Sequence, residues 1–191
     1  MKHSFWLIVL LFVVCAFIMS DVAEVMAEAG IPQTLRQQML KQPSFTAWLV
    51  RWQASNPGLT LDAFQCIEAP QLSNFPVAEE GTLGVKEKEK MYSPDRAHYL
   101  YFPDPGGEPD QEVWLYNRKG DRTLERLGCI GSSSWYDGGF WLDNEHFIIL
   151  SGFQNIREEC WVMVEYWDFL NDQRFLYQAV LKCRAIQFSS E

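Results

Sequence analysis

Residues 92–102, Tyr92-Ser93-Pro94-Asp95-Arg96-Ala97-His98-Tyr99-Leu100-Tyr101-Phe102, and residues 140–150, Phe140-Trp141-Leu142-Asp143-Asn144-Glu145-His146-Phe147-Ile148-Ile149-Leu150, read as one pattern written twice. Each begins on an aromatic residue, passes an Asp-x-x-His turn and enters a four-residue apolar run. Short continuous runs of aromatic and β-branched residues bounded by turn formers are strands, and continuity, as opposed to alternation, implies burial on both faces. These strands are therefore expected inside stacked sheets or beneath a covering helix.

Working outward, a constant shift of 48 residues also lays Val113-Trp114-Leu115-Tyr116 on Trp161-Val162-Met163-Val164, and Arg126-Leu127 on Arg174-Phe175. Each unit reads as turn, strand, long loop, strand, turn, strand, a β-meander of three or four strands. The fold expected is mainly β: two blade-like antiparallel meanders with an N-terminal helical segment, and no closed propeller, because two units cannot close a ring. The domain organisation expected is a signal segment over 1–27, a helical segment over 28–67, a Pro-rich linker over 68–90 and the β domain over 91–191.

The helical segment shows in its spacing. Pro32 suits a first turn, with Leu35 and Met39 one turn apart, and Pro43 interrupts. Ser44 is then a cap for a helix carrying Phe45, Trp48, Leu49 and Trp52 on one face, ended by Asn56-Pro57-Gly58. Trp48 and Trp52 at this spacing are core. Thr60 caps a short third helix that runs to about Cys66.

Ser93-Pro94-Asp95 followed by Ala97-His98-Tyr99-Leu100-Tyr101-Phe102, then Val113-Trp114-Leu115-Tyr116 and the polar turn Asn117–Asp121, resembles the WD40-like repeat of TolB-type propellers. In that family Gly usually completes the turn, and this chain has Arg96; the second copy has Leu142-Asp143-Asn144 where Ser-Pro-Asp would stand. The resemblance implies an envelope protein that works by binding other proteins.

Met1-Lys2-His3-Ser4 and the fifteen apolar residues from Phe5 to Met19 read as the n- and h-regions of a secretory signal. As a helix the run spans about 22 Å, short of the ~30 Å hydrocarbon core, which favours a cut after Val25-Met26-Ala27 over an inner-membrane anchor through residues 5–19. Val14 before Cys15 argues against a lipid attachment there. Export leaves Cys66, Cys129, Cys160 and Cys183 as candidate disulfide cysteines with three pairings open, or as thiols; no C-x-x-C spacing suggests zinc.

Net charge is −9, from 16 basic and 25 acidic residues, and no stretch concentrates Lys and Arg, so nucleic acid is not an expected partner. The run Lys86–Lys90 alternates in sign and reads as a solvated face. His98 and His146 are read as parts of turns held by Asp95 and Asp143, in preference to a metal site. Gly131-Ser132-Ser133-Ser134-Trp135 lacks the Gly-x-Ser-x-Gly elbow, and the acidic loop Asp104–Asp110 matches no calcium loop. No phosphate loop or dinucleotide fingerprint is present, so no cofactor is expected. Trp135, Tyr136, Asp137 and Trp141, crowded around Asp137-Gly138-Gly139, are the candidate ligand or partner contacts. The function expected is an exported non-enzymatic envelope module acting through a protein partner or self-association; the alternative is a secreted carbohydrate-binding module or hydrolase with its site at residues 135–141.

Overall fold

The structure, a computed structural model, describes residues 30–68, 77–79, 83, 85–103, 110–117, 123–156, 159–169, 171 and 173–182. Helix α1, Gln33–Leu40, follows directly on Pro32 and buries Leu35 and Met39. Helix α2, Pro43–Ser55, buries Phe45, Trp48, Leu49 and Trp52, and ends where the Asn56 N–H bonds back to the Trp52 carbonyl. Pro43, expected to interrupt, instead opens α2, and Ser44 lies inside it. Proline at a first helical position loses no bond, since that N–H has no intrahelical acceptor. The third helix is a single 3-10 turn, Leu61–Ala63, and the chain extends into a strand before Cys66.

Ten strands are described: β1 Gln65–Glu68, β2 Val77–Glu79, β3 Lys90–Tyr92, β4 His98–Tyr101, β5 Gln111–Asn117, β6 Thr123–Ile130, β7 Ser134–Trp141, β8 His146–Gln154, β9 Glu159–Asp168 and β10 Gln173–Lys182. They form two five-stranded antiparallel sheets, β2-β6-β5-β4-β3 and β1-β10-β9-β8-β7. Each is a four-stranded meander with one short upstream strand added beside its last member. Strands β1 and β2 thus come from stretches read as helix end and linker. The β domain begins before residue 91, because each meander takes its fifth strand from the preceding chain.

The layers stack in one direction. Leu100, Val113, Leu115 and Leu127 of the first sheet meet Trp141, Phe147, Ile149 and Trp167 of the second in one core. The other face of the second sheet, with Phe140, Ile148, Leu150, Val162 and Val164, packs on α1 and α2. The outer face of the first sheet carries Tyr99, Tyr101, Trp114, Tyr116 and Leu124, covered in part by Leu83, Val85 and Tyr92. Both faces of β4 and most of β8 are buried, as the unbroken apolar runs require.

Pair register refines the repeat. Tyr99 stands opposite Tyr116, and Phe147 opposite Trp167, so the counterpart of Tyr116 is Trp167, three residues past the Val164 that a constant 48-residue shift selects. The shift holds from β4 to β8 and lengthens at β9. An odd offset exchanges faces: Tyr116 lies on the outer face of its sheet, and its counterpart Trp167 lies on the corresponding face of the next. The two sheets are therefore stacked head to tail, and the helices cover the face on which a third sheet would sit.

Residues 1–29, on which the expected signal segment, the expected cut after Ala27 and Cys15 fall, lie outside the described residues. Among the described residues no helix is long and apolar enough to cross a membrane.

Candidate functional site

The candidate contacts lie on β7, where pairing with β8 shifts between Tyr136 and Gly138. Gly138 holds φ +118°, a conformation that side-chain-bearing residues rarely adopt, and this bulge re-aims Asp137. The Asp137 carboxylate, only 12% exposed, reaches α2: Oδ2 accepts from Trp48 Nε1 at 2.8 Å and Trp52 Nε1 at 3.4 Å, and Oδ1 from Arg51 Nη2 at 2.7 Å. Buried indole N–H groups need an acceptor, and one carboxylate serves both. Beside it lies a cleft of about 400 Å³ whose lining includes Trp48, Arg51, Met91, Asp137 and Phe140.

The aromatic candidates are largely consumed by the fold. Trp135 stacks on Trp52, with centroids 6.2 Å apart and planes 15° from parallel, and its ring covers its cross-strand partner Gly152, leaving no room there for a Cβ. Tyr136 turns to the core between the sheets with its hydroxyl against Gly128, and its backbone N–H donates to Gln111 Oε1 at 2.6 Å. Burial, reinforced by the Glu165 charge, holds the Tyr136 phenol well above its ordinary range. Trp141 is buried, and its Nε1 donates to the Met91 carbonyl at 2.8 Å. The structure thus brings Trp135 and Asp137 together at α2 and sends Tyr136 and Trp141 to the opposite face.

The two Asp-x-x-His turns are hydrogen-bonded as expected. Ser93 Oγ donates to Asp95 Oδ1 at 2.7 Å and accepts from the His98 N–H at 3.0 Å, while Asp95 Oδ1 also takes the Ala97 N–H. Arg96 carries φ +57°, which explains why glycine suits this turn. The turns meet where the Asp95 N–H donates to Asn144 Oδ1 at 2.9 Å. Asp143 Oδ1 takes the N–H groups of Glu145 and His146, and both carboxylate oxygens lie 2.8 Å from His146 Nδ1. These bonds hold Asp143 below the ordinary carboxylate range, although its partial burial acts in the opposite direction. His98 is buried between Trp141 and Phe169, away from this pair. Among the described residues no group of three or more His, Cys, Asp and Glu is placed to hold a metal ion.

Gly131–Ser133 forms the crossover between the two sheets, with Ser134 N–H bonded to the Gly131 carbonyl and Gln154 N–H to that of Ser133. Of the acidic loop, residues 104–109 lie outside the described residues. The cysteines depart from a two-bridge reading. Cys66 and Cys129 are thiols, and they stand on different sheets. Cys160 is disulfide-bonded, and Cys183 lies outside the described residues.

Sequence reasoning missed the link from Trp48, Arg51 and Trp52 to Asp137. A helix and a strand more than eighty residues apart share no local signal. The available hint was that two core indoles require acceptors, while Asp137 was a carboxylate within an otherwise apolar strand. No family model matches this chain, and neither the curated proteins nor the solved structures contain a match.

Proposed function

We propose that this protein is an exported, non-catalytic module of the cell envelope that works through protein–protein contacts. Export rests on the basic, apolar and small-residue order of residues 1–27. The resemblance of about residues 91–178 to the TolB-type repeat supports a binding role. The observation that carries it is a cross-strand apolar row: Phe153 faces Trp161 with ring centroids 4.8 Å apart, and Trp161 faces Val180, which is 58% exposed. An apolar row ending in solvent on an otherwise acidic chain is the kind of surface a protein partner covers.

The competing reading, a carbohydrate-binding module or hydrolase at residues 135–141, has the cleft beside Asp137 in its favour. Against it, both Asp137 oxygens already accept bonds from α2.

Two measurements test the choice. A photo-crosslinking residue at position 180 is expected to give a discrete adduct in envelope fractions, and one at the exposed Lys86 is not. Calorimetry of the purified protein with a panel of oligosaccharides is expected to show no heat of binding. Saccharide binding abolished by Arg51→Ala, with no adduct at position 180, would replace the proposal by its rival.

A further inference from the structure

Both ring nitrogens of His146 face carboxylates. Nδ1 lies 2.8 Å from each oxygen of Asp143 in the β7–β8 turn, and Nε2 lies 3.7 Å from Asp168 Oδ2 at the end of β9. The ring stacks on Tyr166, with centroids 5.7 Å apart and planes 13° from parallel. Among the described residues, Asp143 from the turn and Asp168 and Tyr166 from β9 are thus the titratable groups that face it.

Asp168 has a second task. It accepts the backbone and side-chain N–H groups of Asn171, at 3.0 and 2.8 Å, and so holds the start of the β9–β10 turn. In that turn the Phe169 N–H donates to the Glu145 carbonyl at 2.9 Å. The Phe169 ring meets His98 edge-on at 4.7 Å, and His98 in turn stacks on Trp141. One run of contacts therefore leads from His146 through Asp168 and Phe169 to the seam between the two sheets.

We propose that His146 is a proton-operated latch on this seam. A neutral imidazole with its proton on Nδ1 donates to Asp143 and turns an Nε2 lone pair toward Asp168, which gives no bond. One proton taken from solvent makes Nε2 a donor as well. The imidazolium then bridges two carboxylates on separate segments, with the Tyr166 face beneath it. Tightening Asp168 fixes the turn that carries Phe169, so acidification strengthens the contact between the sheets. The latch stands independently of the proposed partner binding.

The test is an NMR titration of the full, isotope-labelled chain from about pH 8 to about pH 5, the range in which imidazoles change charge. The Phe169 amide is expected to shift with the same midpoint as the His146 ring. Its exchange protection, normalised for intrinsic rate, is expected to rise about threefold, the size of effect a partly exposed ion pair gives. In Asp168→Asn, which keeps an acceptor for Asn171, His146 should still titrate while Phe169 no longer follows. His146→Gln supplies the same comparison should Asp168→Asn fail to fold. A Phe169 amide that ignores the His146 titration, or that responds equally in these variants, overturns the latch.

Discussion

Trp48 Nε1 donates to Asp137 Oδ2 at 2.8 Å, joining the middle of α2 to the bulge of β7 across 89 residues of sequence. Trp52 and Arg51 close on the same carboxylate. This clasp fixes the helical layer on β7, the edge strand of the second sheet.

Removal of the acceptor leaves two indole donors with nothing to bond. Asp137→Ala should destabilise the protein by about 2–3 kcal/mol, and Asp137→Asn, which keeps one acceptor, by about 1 kcal/mol. Urea unfolding followed by tryptophan fluorescence measures both.

Trp135 lies over Gly152 with no space for a Cβ, and it is pinned from its other side by Trp52. Gly152→Ala should therefore displace a packed indole, not a flexible side-chain end, costing about 1–3 kcal/mol. A lowered thermal midpoint and an altered near-UV circular dichroism spectrum are expected together.

Arg96 sits at φ +57° and offsets that strain with its guanidinium 4.2 Å from the Tyr92 ring centroid and an ion pair to Glu87. Arg96→Ala keeps the strain and loses the contacts, for an expected loss of about 1 kcal/mol. Arg96→Gly loses the contacts and the strain together, and its unfolding midpoint should lie close to that of the parent protein.

Tyr166 and Tyr177 have phenols pushed up to about 12, chiefly by burial, with the Asp168 and Asp143 charges adding to it at Tyr166 and the Cys66 and Tyr166 groups at Tyr177. Since both values are raised above that of the unfolded chain, the stability they contribute is complete below about pH 10 and declines as pH rises from there to about 12. Absorbance at 295 nm should show these phenolates appearing late, and in the native protein later than in urea.

Cys129 is exposed and Cys66 is buried, while Cys160 is bridged. Native alkylation read by peptide mapping should label Cys129 first, Cys66 only after unfolding, and Cys160 only after reduction.

Much of the fold was legible because it rests on local periodicity. The runs 99–102 and 147–150 could only be two-sided strands, and Phe45, Trp48, Leu49 and Trp52 could only line one helix face. Strands β1 and β2 were not legible, for they are three or four residues long and exist only through the meander edges they join. The candidate site was legible as a concentration of aromatic residues around one carboxylate. That Trp141 shares a face with Tyr136 and not with Trp135 was not, since it follows from a bulge at Gly138 that one glycine among several does not announce.

The sequence by itself determined the class of the fold, the repeated meander and the turn chemistry of Asp95 and Asp143, all of which depend on neighbours in the chain. Tertiary structure alone decided the pairings between distant segments: the three-residue lengthening that sends Trp167 to the seam, the separation of Cys66 from Cys129, and the meeting of Trp48 with Asp137. Hydrogen bonds and faces in a sheet are set by register against a partner strand, and a partner that lies far along the chain leaves no mark in the local pattern.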